Sequence, residues 1–226
     1  QTHPQIMPYL GDSNSQYDCW GVNVSRTISP MGVVSPHLEG VAPDQTVNDW
    51  LEHGAWMTEG EKIEVPEGLS AREWLAQYYF EHYSKEYDVD LASFCTRSEI
   101  MDSILYSLFP NLAPWAGFHP NLTYRMKPYG DNHEMCTMEI IFLMRYPDGA
   151  ERPADAPVHK LDKDQLFSEA PGLEGGIGRV FDQDFSNLKM VQKGLKNLKS
   201  KEVVLANYQE IRIRHFHQTL DKYLNA

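Results

Sequence analysis

Asn121-Leu-Thr-Tyr-Arg-Met-Lys-Pro-Tyr-Gly-Asp-Asn-His-Glu-Met-Cys-Thr-Met-Glu-Ile-Ile-Phe-Leu-Met-Arg-Tyr146 is the stretch that decides the fold. Asn121 to Pro128 and Glu134 to Tyr146 read as extended segments, and Tyr129-Gly-Asp-Asn132 between them is a turn signal, so the pair predicts a β-hairpin. Met135 to Met144 is apolar enough for a central strand, and Pro147-Asp-Gly149 closes it. Upstream, Tyr17 to Ile28 is rich in aromatic and β-branched residues and reads as one further strand. The period then changes. Val47 to Trp56 suits a short helix, and Ser70 to Tyr87 a better one, capped by Ser70 and striped by Trp74, Leu75, Tyr78, Tyr79 and Tyr83. Another helical stretch is expected from Ser98 through Ile100, Ile104 and Leu105. Downstream, Phe185 to Lys196 and Ala206 to Leu224 are helical in period, the last with Ile213, Phe216, Leu220 and Leu224 as a core-facing stripe. Antiparallel strands with helices segregated from them in sequence predict the α+β class.

Composition bounds what such a chain does. The 226 residues carry 32 Asp+Glu against 20 Lys+Arg, a formal charge of −12, which argues against a nucleic-acid partner. No apolar run reaches the roughly 18 residues of a membrane span. A compact chain of 26.0 kDa is expected to expose roughly 10,500 Å². Five Trp, twelve Tyr and nine Phe are ample for a core and exclude general disorder. Cys19, Cys95 and Cys136 are odd in number and far apart, which reads as reduced thiols in a cytoplasmic protein. The chain begins at Gln1 without Met and is expected to be a piece of something longer.

Chemistry is sparse. Asp184 falls on the stripe of Leu188, Val191 and Leu195. A carboxylate there is either a helix N-cap or a buried group that must be paired, protonated or metal-bound. His3, before Pro4, is on its own an ordinary residue near a chain start, and the remaining histidines form no HExxH or HxxxH motif. Gly175-Gly-Ile-Gly178 lacks the preceding strand of a phosphate loop and reads as a flexible loop. The lysines from Lys189 to Lys201 read as solvated helix surface.

Several phrases together resemble the C-terminal catalytic domain of the large (α) subunit of the Rieske-type non-haem iron, aromatic-ring-hydroxylating oxygenases. Gln1-Thr-His-Pro-Gln-Ile-Met-Pro8 resembles the phrase that closes the family's HxxxxH iron motif. Tyr17 to Arg26 and Ser35-Pro-His-Leu38 are similar to the segment that follows. Phe109 to Trp115 and Leu122 to Pro128 resemble the strands over the active site. Asp184 with Gln192-Lys-Gly-Leu195 resembles the family's carboxylate motif, and Ile211 to His217 with Tyr223-Leu224 its last helix.

The resemblance implies a helix-grip α+β domain, an antiparallel sheet wrapped on a long C-terminal helix, spanning 1–226. It implies a mononuclear Fe(II) held by two histidines and a carboxylate, with His3 and Asp184 as two of the three ligands. Asp182 is the competing carboxylate; spacing to Gln192 and the apolar face favour Asp184. The first histidine of the motif, the Rieske domain with its [2Fe–2S] cluster and the acidic bridge between them are expected upstream of Gln1. The implied reaction is O2-dependent hydroxylation of an aromatic or apolar substrate, using NAD(P)H electrons passed through a reductase or ferredoxin. The family's assemblies are trimer-based, and this chain alone is expected to be inactive. Phe109, Leu112, Trp115 and Phe118 are the expected substrate-pocket residues. The alternative is a non-catalytic helix-grip module that binds a hydrophobic ligand without metal.

Overall fold

The computed structural model describes residues 15–35, 38, 40–53, 62–118, 120–174 and 176–226. Among them, strands β1 (Gln16–Trp20), β2 (Val24–Ser29), β3 (Ser103–Leu108), β4 (Leu112–Pro114), β5 (Leu122–Tyr129) and β6 (Asn132–Phe142) pair antiparallel, each with the next in sequence. Helices α1 (Pro43–His53), α2 (Ala71–Tyr87) and α3 (Arg97–Met101) fall between β2 and β3, and α4 (Gly176–Lys196) and α5 (Ile211–Leu224) follow the sheet. This is the α+β architecture expected, with the sheet and terminal helix disposed as in a helix-grip fold.

The strands give the sheet two distinct faces. Ser25 pairs with Ser107 and Thr27 with Leu105, so these four side chains point one way. Leu105 is bridged to Trp115, which alternates with Ala113, and Ala113 pairs with Tyr124, which pairs with Ile140. The inner face therefore runs continuously from Ser25 to Ile140 and Phe142. Arg212 of α5 bonds Ser25 and Ser107 at one end of it. Phe181 of α4 meets Tyr124 and Phe142 at the other, with ring centroids 6.4 and 6.3 Å apart. Both long C-terminal helices thus cover the same side of the sheet.

Elsewhere the packing is dense. Ser70 and Glu73 close a capping box at the start of α2, and Thr96 and Glu99 do the same for α3. Val47, Trp50 and Leu51 of α1, Leu75, Tyr79 and Tyr83 of α2, and Ile100 and Met101 of α3 form the buried cluster. Trp50 Nε1 donates to Tyr79 Oη at 3.0 Å inside it. A polar joint ties this cluster to the sheet. Arg72 grips Asp102 through two bonds of 2.6 and 3.0 Å, and Asp102 also accepts from Met31 N and Ser98 Oγ. Gly32, at φ +68°, sits beside this joint, and a Cβ there would lie 2.9 Å from Leu75 Cδ1.

Five expectations are corrected. Residues 17–28 form two strands, because Gly21 at φ +54° turns the chain back. Ile104 and Leu105 belong to β3, since α3 stops at Met101. The Met135–Met144 region is no central strand: β6 is the last strand of the sheet among the described residues, and its first half is exposed. Helix α4 starts at Gly176, well before Phe185, and α5 starts only at Ile211, after a turn over 207–210. Finally, the accessible surface of 15517 Å² exceeds the roughly 10,500 Å² of a compact chain. The apolar stripes of α4 and α5 account for part of the excess: Leu188, Val191, Leu195, Ile213, Phe216 and Leu224 are all exposed.

Candidate active site

Asp184 lies well inside α4, so it is not the N-cap that its position before Leu188 allowed. The helix turns 100° per residue, which puts Asp184 on the same side as Phe181 and Phe185. Phe181 is 2% exposed and points into the sheet. Asp184 is half-buried beside it, close enough for its charge to act on the phenol of Tyr124. Burial is the larger cause there, and the two together push the Tyr124 hydroxyl up to about 12, against an opposing contribution from the Trp115 indole. Thr27 Oγ1, also on this inner face, is buried without a hydrogen-bond partner among the described residues. Trp115 meets Tyr124 edge-on at 6.4 Å.

Asp182 has a different task. It projects to the other side of α4 and accepts from Phe167 N at 2.6 Å, Ser168 N at 3.3 Å and Ser168 Oγ at 2.6 Å. It thereby caps the 3-10 turn Phe167–Glu169 and holds it against the helix. Phe167 in turn packs on Phe181 and Phe185, at 5.5 and 4.6 Å. The first turn of α4 needs glycine to make this approach: a Cβ on Gly178 would stand 2.1 Å from Leu173 O and 2.8 Å from Ser168 Cα. The run expected to be a loop is therefore, from Gly176 on, a helix start built for backbone contact.

The four residues expected to line a substrate pocket do not lie together. Trp115 is on the inner face beside Tyr124. Phe109 is at the far end of that face, 5.4 Å from Phe216 and stacked on Tyr223 of α5. Leu112 pairs with Arg125, which places it on the opposite face from Tyr124. Phe118 packs on Tyr83 and Tyr87 of α2 and lies under the Arg145 guanidinium. Tyr124, Phe142 and Phe181 lie on the inner face as well, and alternation along β5 and β6 is the sequence signal that places Tyr124 and Phe142 with Trp115. His3 lies outside the described residues. Among the described residues no three His, Cys, Asp or Glu side chains come together as a metal-holding set. Among the described residues, the Asp184 carboxylate beside the aromatic inner face is of the donor type that suits a hard metal ion.

A separate cleft of about 440 Å³ lies between α5 and strands β1 to β3. Its walls include Ser25, Ser107, Phe109, Arg212, Ile213 and Phe216. Polar contacts fix α5 above it: Thr219 Oγ1 donates to Val22 O, His215 Nε2 lies 3.2 Å from Gly21 O, and Asn23 Nδ2 donates to Tyr223 Oη at 3.1 Å.

Comparison with known families gives one match: residues 23–226 fit the family model described as ring hydroxylating alpha subunit (catalytic domain). No curated protein matches the chain, and no solved structure does.

Proposed function

This chain belongs to the ring-hydroxylating α-subunit family, in its catalytic domain, and on that premise we propose that it forms the mononuclear iron centre of an O2-dependent oxygenase acting on an aromatic or similarly apolar substrate. Asp184 and His3 are two of the protein ligands to Fe(II) in this reading, and a second histidine comes from residues preceding Gln1. The observation that carries it is the division of labour on α4. Asp182 is committed to the turn at Phe167, while Asp184 faces the aromatic inner face with Phe181. Fe(II), when bound, supplies the redox chemistry that lets O2 react with an unactivated ring.

The remaining roles fall to this chain's own side chains. Phe181, Phe142 and Trp115 hold a flat apolar substrate against the sheet and exclude water from it. Tyr124 keeps its proton throughout the physiological range, so it acts as a neutral hydrogen-bonding group and not as a base. Cys19, Cys95 and Cys136 are free and lie on separate elements, which supports a reducing, cytoplasmic setting. It also leaves the electron supply to a [2Fe–2S] Rieske centre outside these 226 residues, fed by a ferredoxin or reductase and shared across a trimer-based assembly. No helix among the described residues is long and apolar enough to cross a membrane.

The test is anaerobic thermal melting with Fe(II). Ligand at about 100 times its Kd stabilises a folded protein by about 2.7 kcal/mol. Fe(II) is expected to raise the melting temperature of the unaltered chain and of Asp182→Ala, and to leave Asp184→Ala and His3→Ala unmoved. No shift in the unaltered chain, or a shift retained by Asp184→Ala, overturns the assignment and favours a metal-free module that binds hydrophobic ligands. The chain alone, given NADH and O2, is expected to yield no hydroxylated product.

A further inference from the structure

We propose that the cleft beneath α5 is a binding site for a monocarboxylate carried on a flat apolar body, held by Arg212; this does not rest on the iron reading. Arg212 is half-buried in the wall of the cleft. Its Nε donates to Ser25 Oγ at 3.2 Å and its Nη2 to Ser107 Oγ. A guanidinium carries five N–H groups, and among the described residues the two serine hydroxyls are the acceptors it bonds, which leaves the rest of the fork for a ligand. Among the described residues no carboxylate stands within ion-pair distance of it, in a chain whose acidic residues outnumber its basic ones by 32 to 20. The ionisable acids that act on it are the Cys19 thiol and the Tyr17 phenol of β1, and burial pushes the Cys19 thiol up, away from ionisation.

A cation partly removed from water without a counter-charge is unfavourable. Burial accordingly draws Arg212 below its ordinary value. A ligand carboxylate relieves this with two parallel bonds to the planar fork, which a hydroxyl or amide does not match. The remainder of the wall selects the body of that ligand. Phe109, Ile213 and Phe216 present apolar surface next to the guanidinium, and the Phe109 and Phe216 rings stand 5.4 Å apart. About 440 Å³ lies within the range of small-molecule sites. An inorganic anion answers the charge and leaves the aromatic wall unused.

Isothermal titration of the whole chain with 2-naphthoate, its neutral analogue 2-naphthamide and inorganic phosphate tests this at constant ionic strength. The acid is expected to bind at least tenfold more tightly than the amide, and phosphate at equal concentration should not displace it. Arg212→Met should bring the acid down to the level of the amide, whereas Phe216→Ala should weaken acid and amide alike. Equal binding of acid and amide, displacement by phosphate, or full acid affinity in Arg212→Met overturns the proposal. The acid–amide comparison uses the unaltered chain, so it stands even where Arg212→Met does not fold.

Discussion

The helical cluster of α1, α2 and α3 and the inner face under α4 and α5 are made of the same kinds of residue, yet they use them oppositely. In the cluster, leucines and tyrosines are sealed from water: Leu75 is 0% exposed and Tyr83 3%. On α4 and α5 the corresponding stripe stays open, with Leu188 55% and Phe216 40% exposed, and contact with the sheet is made by a few aromatic rings and by polar groups such as Arg212 and Thr219. A fully packed region has no room left for a ligand. The difference separates a region sealed by its own side chains, joined to the sheet through Asp102, from a face whose apolar stripe stays open and which borders the cleft under α5.

Breaking the joint should have the largest effect. Asp102 is 5% exposed and binds Arg72, Met31 and Ser98. Asp102→Ala strands the partly buried guanidinium and should lower stability by about 3–5 kcal/mol in urea denaturation. The contrast between regions is sharpest in a matched pair of truncations. Leu75→Ala should cost about 2–5 kcal/mol, and Leu188→Ala, made in open surface, no more than about 0.5 kcal/mol. Equal costs would mean that the α4 stripe is covered in solution. Gly178→Ala drives a methyl group into Leu173 O and should cost about 1–3 kcal/mol. The smallest effect concerns pH. Tyr124 has its hydroxyl pushed up to about 12 from an ordinary 10.0, so the folded chain holds this proton more tightly than the unfolded one. The resulting stabilisation is complete below pH 10 and is lost as pH rises toward about 12. Burial also raises the Tyr79 and Tyr87 hydroxyls, so difference absorbance of tyrosinate should show several late-titrating tyrosines, and Tyr124→Phe should remove one of them while the others stay.

The parts of the fold that were legible in the sequence carry their own local signals. The hairpin of β5 and β6 announces itself by Gly130 and its flanking residues, with Tyr129 paired to Asn132, and α2 by Ser70 and Glu73. The parts that were not legible depend on contacts between distant segments. Gly176 and Gly178 have the composition of a loop, and only the approach of Leu173 and Ser168 explains the glycine at 178 inside a helix. Gly21 hides between two runs of strand-forming residues, so β1 and β2 merge in a reading by composition. For the site, the Asp182–Asp184 ambiguity could not be closed from spacing. The groups that Asp182 binds, on Phe167 and Ser168, lie some fifteen residues away and give no signal in the local sequence. Leu112 was read with Trp115 because strand alternation was not applied across β4. Arg212 was missed because an arginine in a helix looks like surface until its serine partners from β2 and β3 are known.

The bonds that fasten α5 to the turn between β1 and β2 have a further meaning for how the molecule is made. Thr219 and Val22 meet across 197 residues of chain, and Tyr223 and Asn23 across 200. A ribosome releases about 5–20 residues per second, so the first hairpin waits while those 197 to 200 further residues are made before its partner helix exists. During that interval the inner face at Ser25, Ser107 and Phe109 is bare, and loop closure over such a span is among the slowest steps available to a chain of this size. The helical cluster, whose buried members all lie between Val47 and Met101, is made long before. Assembly thus runs from the sealed cluster toward the open face, and the cleft under α5 is covered late.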